Sequence, residues 1–331
     1  MRPVAPSPRV RAAIVIPVFN DWDSLVLLLR DIDAALGAKQ LTGSVTVIDD
    51  GSTTSPPPEL FQQGYASLLR VEIIRLRHNL GHQRAIAVGL AHLANTSVDA
   101  DAVVVMDGDG EDRPEDIVPL LTDLSGSRDR YHVVFAARTK RLEGVVFRLL
   151  YQLYRAVHRV LTGTSVRVGN FSALSPDTPG RLSLDSDMWN HYAAAVFRSR
   201  IPFSTVPLAR GRRYRGASQM RFSSLVAHGL SAVAVFGEIV GARLIVVFAS
   251  LVVLSGALVL AVIGIRLFTG LGIPGWATNA AGLLILFAMQ SVLSLLVLVL
   301  ILLGDRSQAK VIPARDAYLF IESVETLGEP Q

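Results

Sequence analysis

Two uncharged stretches near the C-terminus constrain this 331-residue chain more than any other feature. Leu244–Ile265 runs for 22 residues without a charge, and Trp276–Leu303 for 28. About 20 apolar residues are enough to cross the hydrocarbon core of a bilayer. The pattern therefore predicts transmembrane helices over 244–265 and 279–303, with a juxtamembrane helix over 231–243. A buried core helix is the rival reading, and it seldom needs so long an uncharged run. Between the two stretches lies one charge, Arg266, and a Gly272-Ile273-Pro274-Gly275 turn, which suits a tight helical hairpin. Arg198, Arg200, Arg210, Arg212, Arg213, Arg215, Arg221 and Arg243 precede the first stretch, and Arg306, Lys310 and Arg315 follow the second. The positive-inside rule then puts both termini in the cytoplasm. The N-terminus has too short an apolar stretch for a signal peptide. The expectation is a multi-pass protein of the cell membrane, with a cytoplasmic domain over 1–230 and a cytoplasmic tail over 304–331.

Composition agrees with this division. Half the residues are hydrophobic and only 18% are charged, against about 25% charged in ordinary soluble domains. That hydrophobicity excludes a disordered chain. There is no cysteine, so a disulfide scaffold, a thiolate zinc site and a cysteine nucleophile are all excluded. The net charge of +4 comes from arginine, since the only lysines are Lys39, Lys140 and Lys310.

In the first 230 residues, short apolar runs alternate with helical stretches. Ala12–Val18, Val45–Ile48, Val71–Arg75, Ala102–Met106 and Val133–Ala136 read as strands. Ser24–Leu36 and Arg84–Ala94 read as helices. Unbroken Val/Ile runs between helices predict strands buried on both faces, hence an α/β layer fold with a mostly parallel sheet. In such sheets ligands lie beyond the carboxyl ends of the strands. Polar residues stand at those ends here: Asn20 and Asp21, Asp49 and Asp50, Asp107 and Asp109. Neither the dinucleotide-binding G-x-G-x-x-G after the first strand nor the P-loop pattern is present. The cluster Asp107-Gly108-Asp109-Gly110-Glu111-Asp112 crowds hard oxygen ligands together. That suits Mg²⁺ or Mn²⁺ bridging a diphosphate. A polar turn capping a following helix explains it equally well, because Arg113-Pro114-Glu115-Asp116 reads as a helix start.

Four motifs occur in order: Val15-Ile16-Pro17-Val18-Phe19-Asn20-Asp21, Val47-Ile48-Asp49-Asp50-Gly51-Ser52, Asn79-Leu80-Gly81-His82-Gln83, and Met106-Asp107-Gly108-Asp109. Together they resemble the family 2 glycosyltransferases, nucleotide-sugar enzymes of the Rossmann-like GT-A fold with an Asp-x-Asp metal motif. Ala137-Arg138, Gly169-Asn170-Phe171 and Arg213-Tyr214-Arg215-Gly216-Ala217-Ser218, followed by two spans, resemble the polyprenyl-phosphate branch of that family. The resemblance covers nearly the whole chain. It implies that Pro17, Val18, Phe19, Asn20 and Asp21 line the nucleoside pocket, with Asp49 or Asp50 on the base or ribose. Gly81, His82, Arg84, Gly108 and Ser218 complete the expected donor site. Asp107, Asp109 and Glu111 are the implied metal and diphosphate ligands, Glu111 standing where the family often has Gln. Asp109, Arg138 and Arg213 are the implied catalytic set, a guanidinium fork being well matched to phosphate.

The resemblance implies an inverting transfer of one sugar from a nucleotide-sugar to a polyprenyl phosphate at the cytoplasmic face. UDP-hexose is the favoured donor and GDP-mannose the runner-up. The implied partners are donor, lipid acceptor and membrane, without nucleic acid, and a homo-oligomer stays open. The chain departs from the branch at Asn170 and Ser172, where relatives often have Gly-Asp-Phe-Arg, and at Gln219, where they have Lys. Val145–Leu161 has basic and aromatic residues at helical spacing. It suits either an interfacial helix or one packed on the domain's own core. Two readings of other kinds compete: a processive polysaccharide synthase, whose Gln-x-x-Arg-Trp motif is missing, and a non-catalytic membrane scaffold. A transporter fits least, because Gln290 is the only strongly polar side chain deep in either span.

Overall fold

The computed structural model describes residues 10–62, 64–96, 99–138, 159–160, 162–163, 168–215, 231, 233–269, 275–307 and 309–327. The strands are β1 Arg11–Val18, β2 Thr42–Asp49, β3 Leu68–Leu76, β4 Ala102–Val105, β5 Val133–Arg138, β6 Ser172–Leu174, β7 Phe203–Leu208 and β8 Ile321–Leu327. Among the helices, α1 is Trp22–Gly37, α2 Pro58–Gln62, α3 His82–Thr96 and α4 Ile117–Gly126. Among the described residues, all eight strands join one sheet in the order β7-β5-β6-β4-β1-β2-β3-β8. β1 lies between β2 and β4, parallel to both. Seven of its eight residues are buried, which is why the sequence there is an unbroken apolar run rather than an alternating one.

Alternate side chains of β1 enter two cores. Ile14 and Ile16 face α1 and α4, while Ala13 and Val15 face α3. α3 lies close on the sheet because Gly89 has no side chain: a Cβ there would stand 2.5 Å from Val15 Cγ1. The sheet is mixed. β1–β2, β1–β4, β2–β3 and β5–β7 are parallel, whereas β3–β8, β4–β6 and β5–β6 are antiparallel.

The chain divides into two compact units, one of 1–148, 166–235 and 310–331, the other of 149–165 and 236–309. Within the stretch expected as a tail, 304–331, residues 310–327 lie with the first unit, where β8 pairs antiparallel with β3. Just before β8, Arg77 N–H donates to Phe320 C=O at 2.9 Å. The open edge of β3 supplied unpaired backbone groups that the returning chain satisfies.

The second unit holds two 32-residue helices, Gly237–Phe268 and Trp276–Ser307. Both are long and apolar enough to cross a membrane. The expected juxtamembrane segment is continuous with the first helix from Gly237 onward. Burial here is inside out: Ser255 and Ser291 are buried, while Leu260 and Leu300 are exposed. Both buried hydroxyls donate to carbonyls four residues back, Leu251 and Phe287. The helices meet closely where Gly241 faces Leu302. The segment 145–161 lies almost wholly outside the described residues, as do Ser218, Gln219 and Arg221.

Candidate active site

Loops at the carboxyl ends of β1, β2, β3 and β4 converge, as a parallel sheet requires. Asn20, with a positive φ of 54°, ties the first loop to the second. Its Oδ1 accepts from Thr53 N–H at 2.8 Å and Thr54 N–H at 3.2 Å, and its own N–H donates to Ser52 Oγ at 2.9 Å. Asp49 accepts from Ser52 N–H at 2.9 Å and from Arg75 Nε at 3.2 Å. Asp50 accepts from Leu80 N–H at 2.7 Å and Gly81 N–H at 2.9 Å. Burial pushes the Asp50 pKa up, against those hydrogen bonds. Both carboxylates are buried and pin loops. Phe19, also expected at the nucleoside pocket, is exposed at the end of β1.

The pinned third loop delivers His82 at the start of α3. His82 Nε2 lies 3.1 Å from Asp107 Oδ1 and 2.9 Å from Asn170 Nδ2. Burial opposes charge on this imidazole, but Asp107, Asp109 and Asp112 outweigh it and raise its pKa. Gln83 turns inward, donating to Asn170 Oδ1 at 3.1 Å and accepting from Tyr192 N–H at 2.7 Å. Ser172 Oγ bonds the buried Tyr192 hydroxyl at 2.7 Å and donates to Asn170 C=O at 2.8 Å. Arg84 lies over the Trp189 ring at 5.7 Å.

The acidic turn is folded on itself. Asp112 accepts from Asp107 N–H at 3.0 Å, and Asp109 from Glu111 N–H at 2.9 Å. The helix start predicted at Pro114 is present as a short 3₁₀ turn leading into α4. Gly108 packs beneath Pro17, a Cβ there standing 3.2 Å from the Pro17 carbonyl. Two arginines of the 210–215 segment meet the acidic turn, and a third pairs with α1 beside it. Arg210 pairs with Glu111 and Arg215 with Asp23 at 2.8 Å. Arg213 stands between Asp21 at 3.3 Å and Asp109 at 3.7 Å. Its buried Nε has no hydrogen-bond acceptor among the described residues.

The structure thus gathers Asp21, His82, Asp107, Asp109, Glu111 and Arg213 at one end of the sheet. Arg138 closes β5, but its side chain lies outside the described residues, as does Ser218. Sequence reasoning did not single out Gln83, Tyr192, Asp112 and Tyr214, which the structure brings against these residues or their neighbours. Gln83, Asp112 and Tyr214 carried a signal through their places in motifs, and Tyr192 carried none.

Residues 13–180 match the family model described as glycosyl transferase family 2. The chain is 27% identical over 292 residues to the undecaprenyl-phosphate 4-deoxy-4-formamido-L-arabinose transferase of Klebsiella pneumoniae, covering 85% of this chain and 83% of that one. It is 27% identical over 290 residues to the protein of the same name from Erwinia tasmaniensis, covering 84% and 82%. Among solved structures, glucosyl-3-phosphoglycerate synthase from Mycobacterium tuberculosis, in complex with Mn²⁺, UDP-glucose and phosphoglyceric acid, superposes with a TM-score of 0.49. It is 17% identical and covers 71% of this chain and 80% of its own.

Proposed function

The chain belongs to glycosyl transferase family 2, and from that premise we propose that it moves one sugar from a nucleotide-sugar to a polyprenyl phosphate at the cytoplasmic face of a membrane. The observation that carries the reading is the opposition of Arg213 to Asp21 and Asp109 at the carboxyl ends of the parallel strands. A cation with an unfilled donor beside two carboxylates suits a diphosphate that a divalent cation also holds.

Asp107 and Asp109 fit such a cation. Mg²⁺-type ions are bound by one or two carboxylates together with substrate phosphates. Among the described residues no cluster of three His, Cys, Asp or Glu forms a self-sufficient site, so the diphosphate would complete the ligand set. When bound, Mg²⁺ or Mn²⁺ neutralises charge on the departing diphosphate. Glu111 is engaged by Arg210, which favours a structural role for it over ligation. Arg213 stabilises charge on the leaving group, and Arg138 is assigned to phosphate as well.

The acceptor needs no strong base, since a phosphate monoester is largely dianionic at neutral pH, with a second pKa of about 6. One of its oxygens attacks the anomeric carbon, the bond from that carbon to the nucleoside diphosphate breaks, and the configuration inverts. The names of the two relatives support undecaprenyl phosphate as the acceptor. The two long apolar helices support membrane anchoring, and the flanking arginines the cytoplasmic orientation. UDP-hexose remains the favoured donor. Nothing among the described residues argues for an oligomer, and none is proposed.

The test uses the full chain in detergent with undecaprenyl phosphate, Mg²⁺ or Mn²⁺, and radiolabelled UDP-hexoses, UDP-linked amino- and formamido-pentoses and GDP-mannose. Label entering the lipid phase with one donor, and falling about 100-fold or more in Asp109→Ala, supports the reading. A chain that binds a nucleoside diphosphate but labels no lipid with any donor overturns it.

A further inference from the structure

Residues 210–215 lie in no helix or strand, yet they are laid along the acidic turn. Gly211 N–H donates to Glu111 C=O at 2.9 Å, and Tyr214 N–H to Asp109 C=O at 3.0 Å. Gly211 comes so near that a Cβ there would stand 2.8 Å from the Gly110 carbonyl. Gly110 has a φ of +84°, and a Cβ on it would be 2.2 Å from Tyr214 Cδ2. The tyrosine ring therefore roofs the glycine between Asp109 and Glu111, and only a residue without a side chain fits beneath it. At its far end the Tyr214 hydroxyl donates to Asp31 on α1.

Arg213 does not hold itself in place. Its contact with Asp21 is long at 3.3 Å, that with Asp109 longer at 3.7 Å, and its Nε is buried without an acceptor. Good charge-assisted bonds run about 2.7–2.9 Å. The residue beside it, by contrast, is fixed three ways: amide on Asp109, ring on Gly110, hydroxyl on Asp31. We propose that Tyr214 is a positioning residue for sugar transfer, holding Arg213 at the Asp107–Glu111 turn so that its guanidinium meets the leaving diphosphate. The inference rests on the reading of Arg213 given above. Glu111 and Arg210 anchor the same segment at its other end, and Arg215–Asp23 ties it to α1.

A residue acting through Arg213 loses its effect once Arg213 is gone. The experiment is a double-mutant cycle with Tyr214→Ala and Arg213→Ala, read in two ways. The first readout is affinity for UDP and GDP with Mn²⁺ by calorimetry, which needs neither the sugar nor the lipid to be known. The second is kcat against donor KM with whichever donor labels lipid. Misplacement by about 1 Å costs up to about 100-fold. The expectation for Tyr214→Ala is at least about a tenfold loss in diphosphate affinity or kcat, falling below about threefold in the Arg213→Ala background. Equal losses in both backgrounds overturn the proposal. Tyr214→Phe keeps the roof and drops only the Asp31 bond, so it guards against misfolding. It should fall between wild type and Tyr214→Ala with its melting temperature preserved, and a Tyr214→Phe indistinguishable from Tyr214→Ala removes the role assigned to the ring. If wild type binds diphosphate but labels no lipid, the acceptor reading fails while the binding cycle still decides the role of Tyr214.

Discussion

The side-chain amide of Asn170 faces the imidazole of His82, Nδ2 to Nε2, at 2.9 Å. The direction of that contact is set elsewhere. Tyr192 N–H can only donate, so the Gln83 atom it meets is Oε1; Gln83 Nε2 must then donate to Asn170 Oδ1, which turns Nδ2 toward the histidine. Nε2 serves one neighbour at a time: bearing hydrogen it donates to Asp107, and bare it accepts from Asn170. Asn170 is therefore linked through His82 to the Asp107 carboxylate.

Gln83 is the hinge of that chain, and its two ends can be separated. Gln83→Leu leaves Tyr192 N–H buried without an acceptor, at a cost of about 1–3 kcal/mol. Gln83→Glu keeps the acceptor and should cost less. Denaturation of the two variants in the same detergent checks the order.

Gly89→Ala sets two effects of opposite sign against each other. Alanine gains about 1 kcal/mol of helix propensity, but its methyl would stand 2.5 Å from Val15 Cγ1 and 3.0 Å from Ile48 Cγ1. Overpacking costs about 1–3 kcal/mol, and both neighbours are buried in the sheet with little room to yield. The expected outcome is net destabilisation of about 1 kcal/mol, seen as a melting temperature lower by about 2–4 °C.

Glu72, buried in β3, is held below its ordinary pKa by the hydrogen bond from His92 at 3.2 Å, with Arg70 contributing. The unfolded chain binds that proton first, so the stabilisation is present above the ordinary value near 4.5. It is lost as pH falls through the lower folded-state value. Glu72→Gln should melt earlier than wild type at pH 7, with the gap narrowing steadily below about pH 4.5. Melting curves from pH 7 to pH 3.5 test the sign.

Removing residues 308–331 takes away β8 and bares the edge of β3 from Val71 to Leu76. It also removes the Ala314 carbonyl that accepts from Asn95 Nδ2 on α3 at 3.2 Å. The loss should be on the order of 5 kcal/mol, comparable with the whole stability of a domain. The truncated chain is expected to stay in the membrane fraction but to lose nucleoside-diphosphate binding and to become protease-sensitive in its first unit. Retained binding would show β8 to be dispensable.

Much of this was legible in the sequence, wherever the pattern is local and apolar. The strands β1 to β5, helices α1 and α3, and both long C-terminal helices follow from runs and periods of hydrophobic residues, because burial is written into consecutive positions. The order of the motifs likewise marked the strand ends on which Asp21, Asp107 and Asp109 stand. The tertiary structure alone decided matters that depend on partners far apart in the chain. Asp49 and Asp50 look alike in sequence, but one meets Arg75 and the other the amides of Leu80 and Gly81. Residues 321–327 look like a tail until the open edge of β3 supplies their hydrogen bonds. Tyr214 stands within a motif, but its contacts are with Gly110, 104 positions earlier, and with Asp31 on another element. A chain carries its hydrophobic pattern residue by residue, whereas a hydrogen bond or a close approach exists only once the fold has brought both sides together.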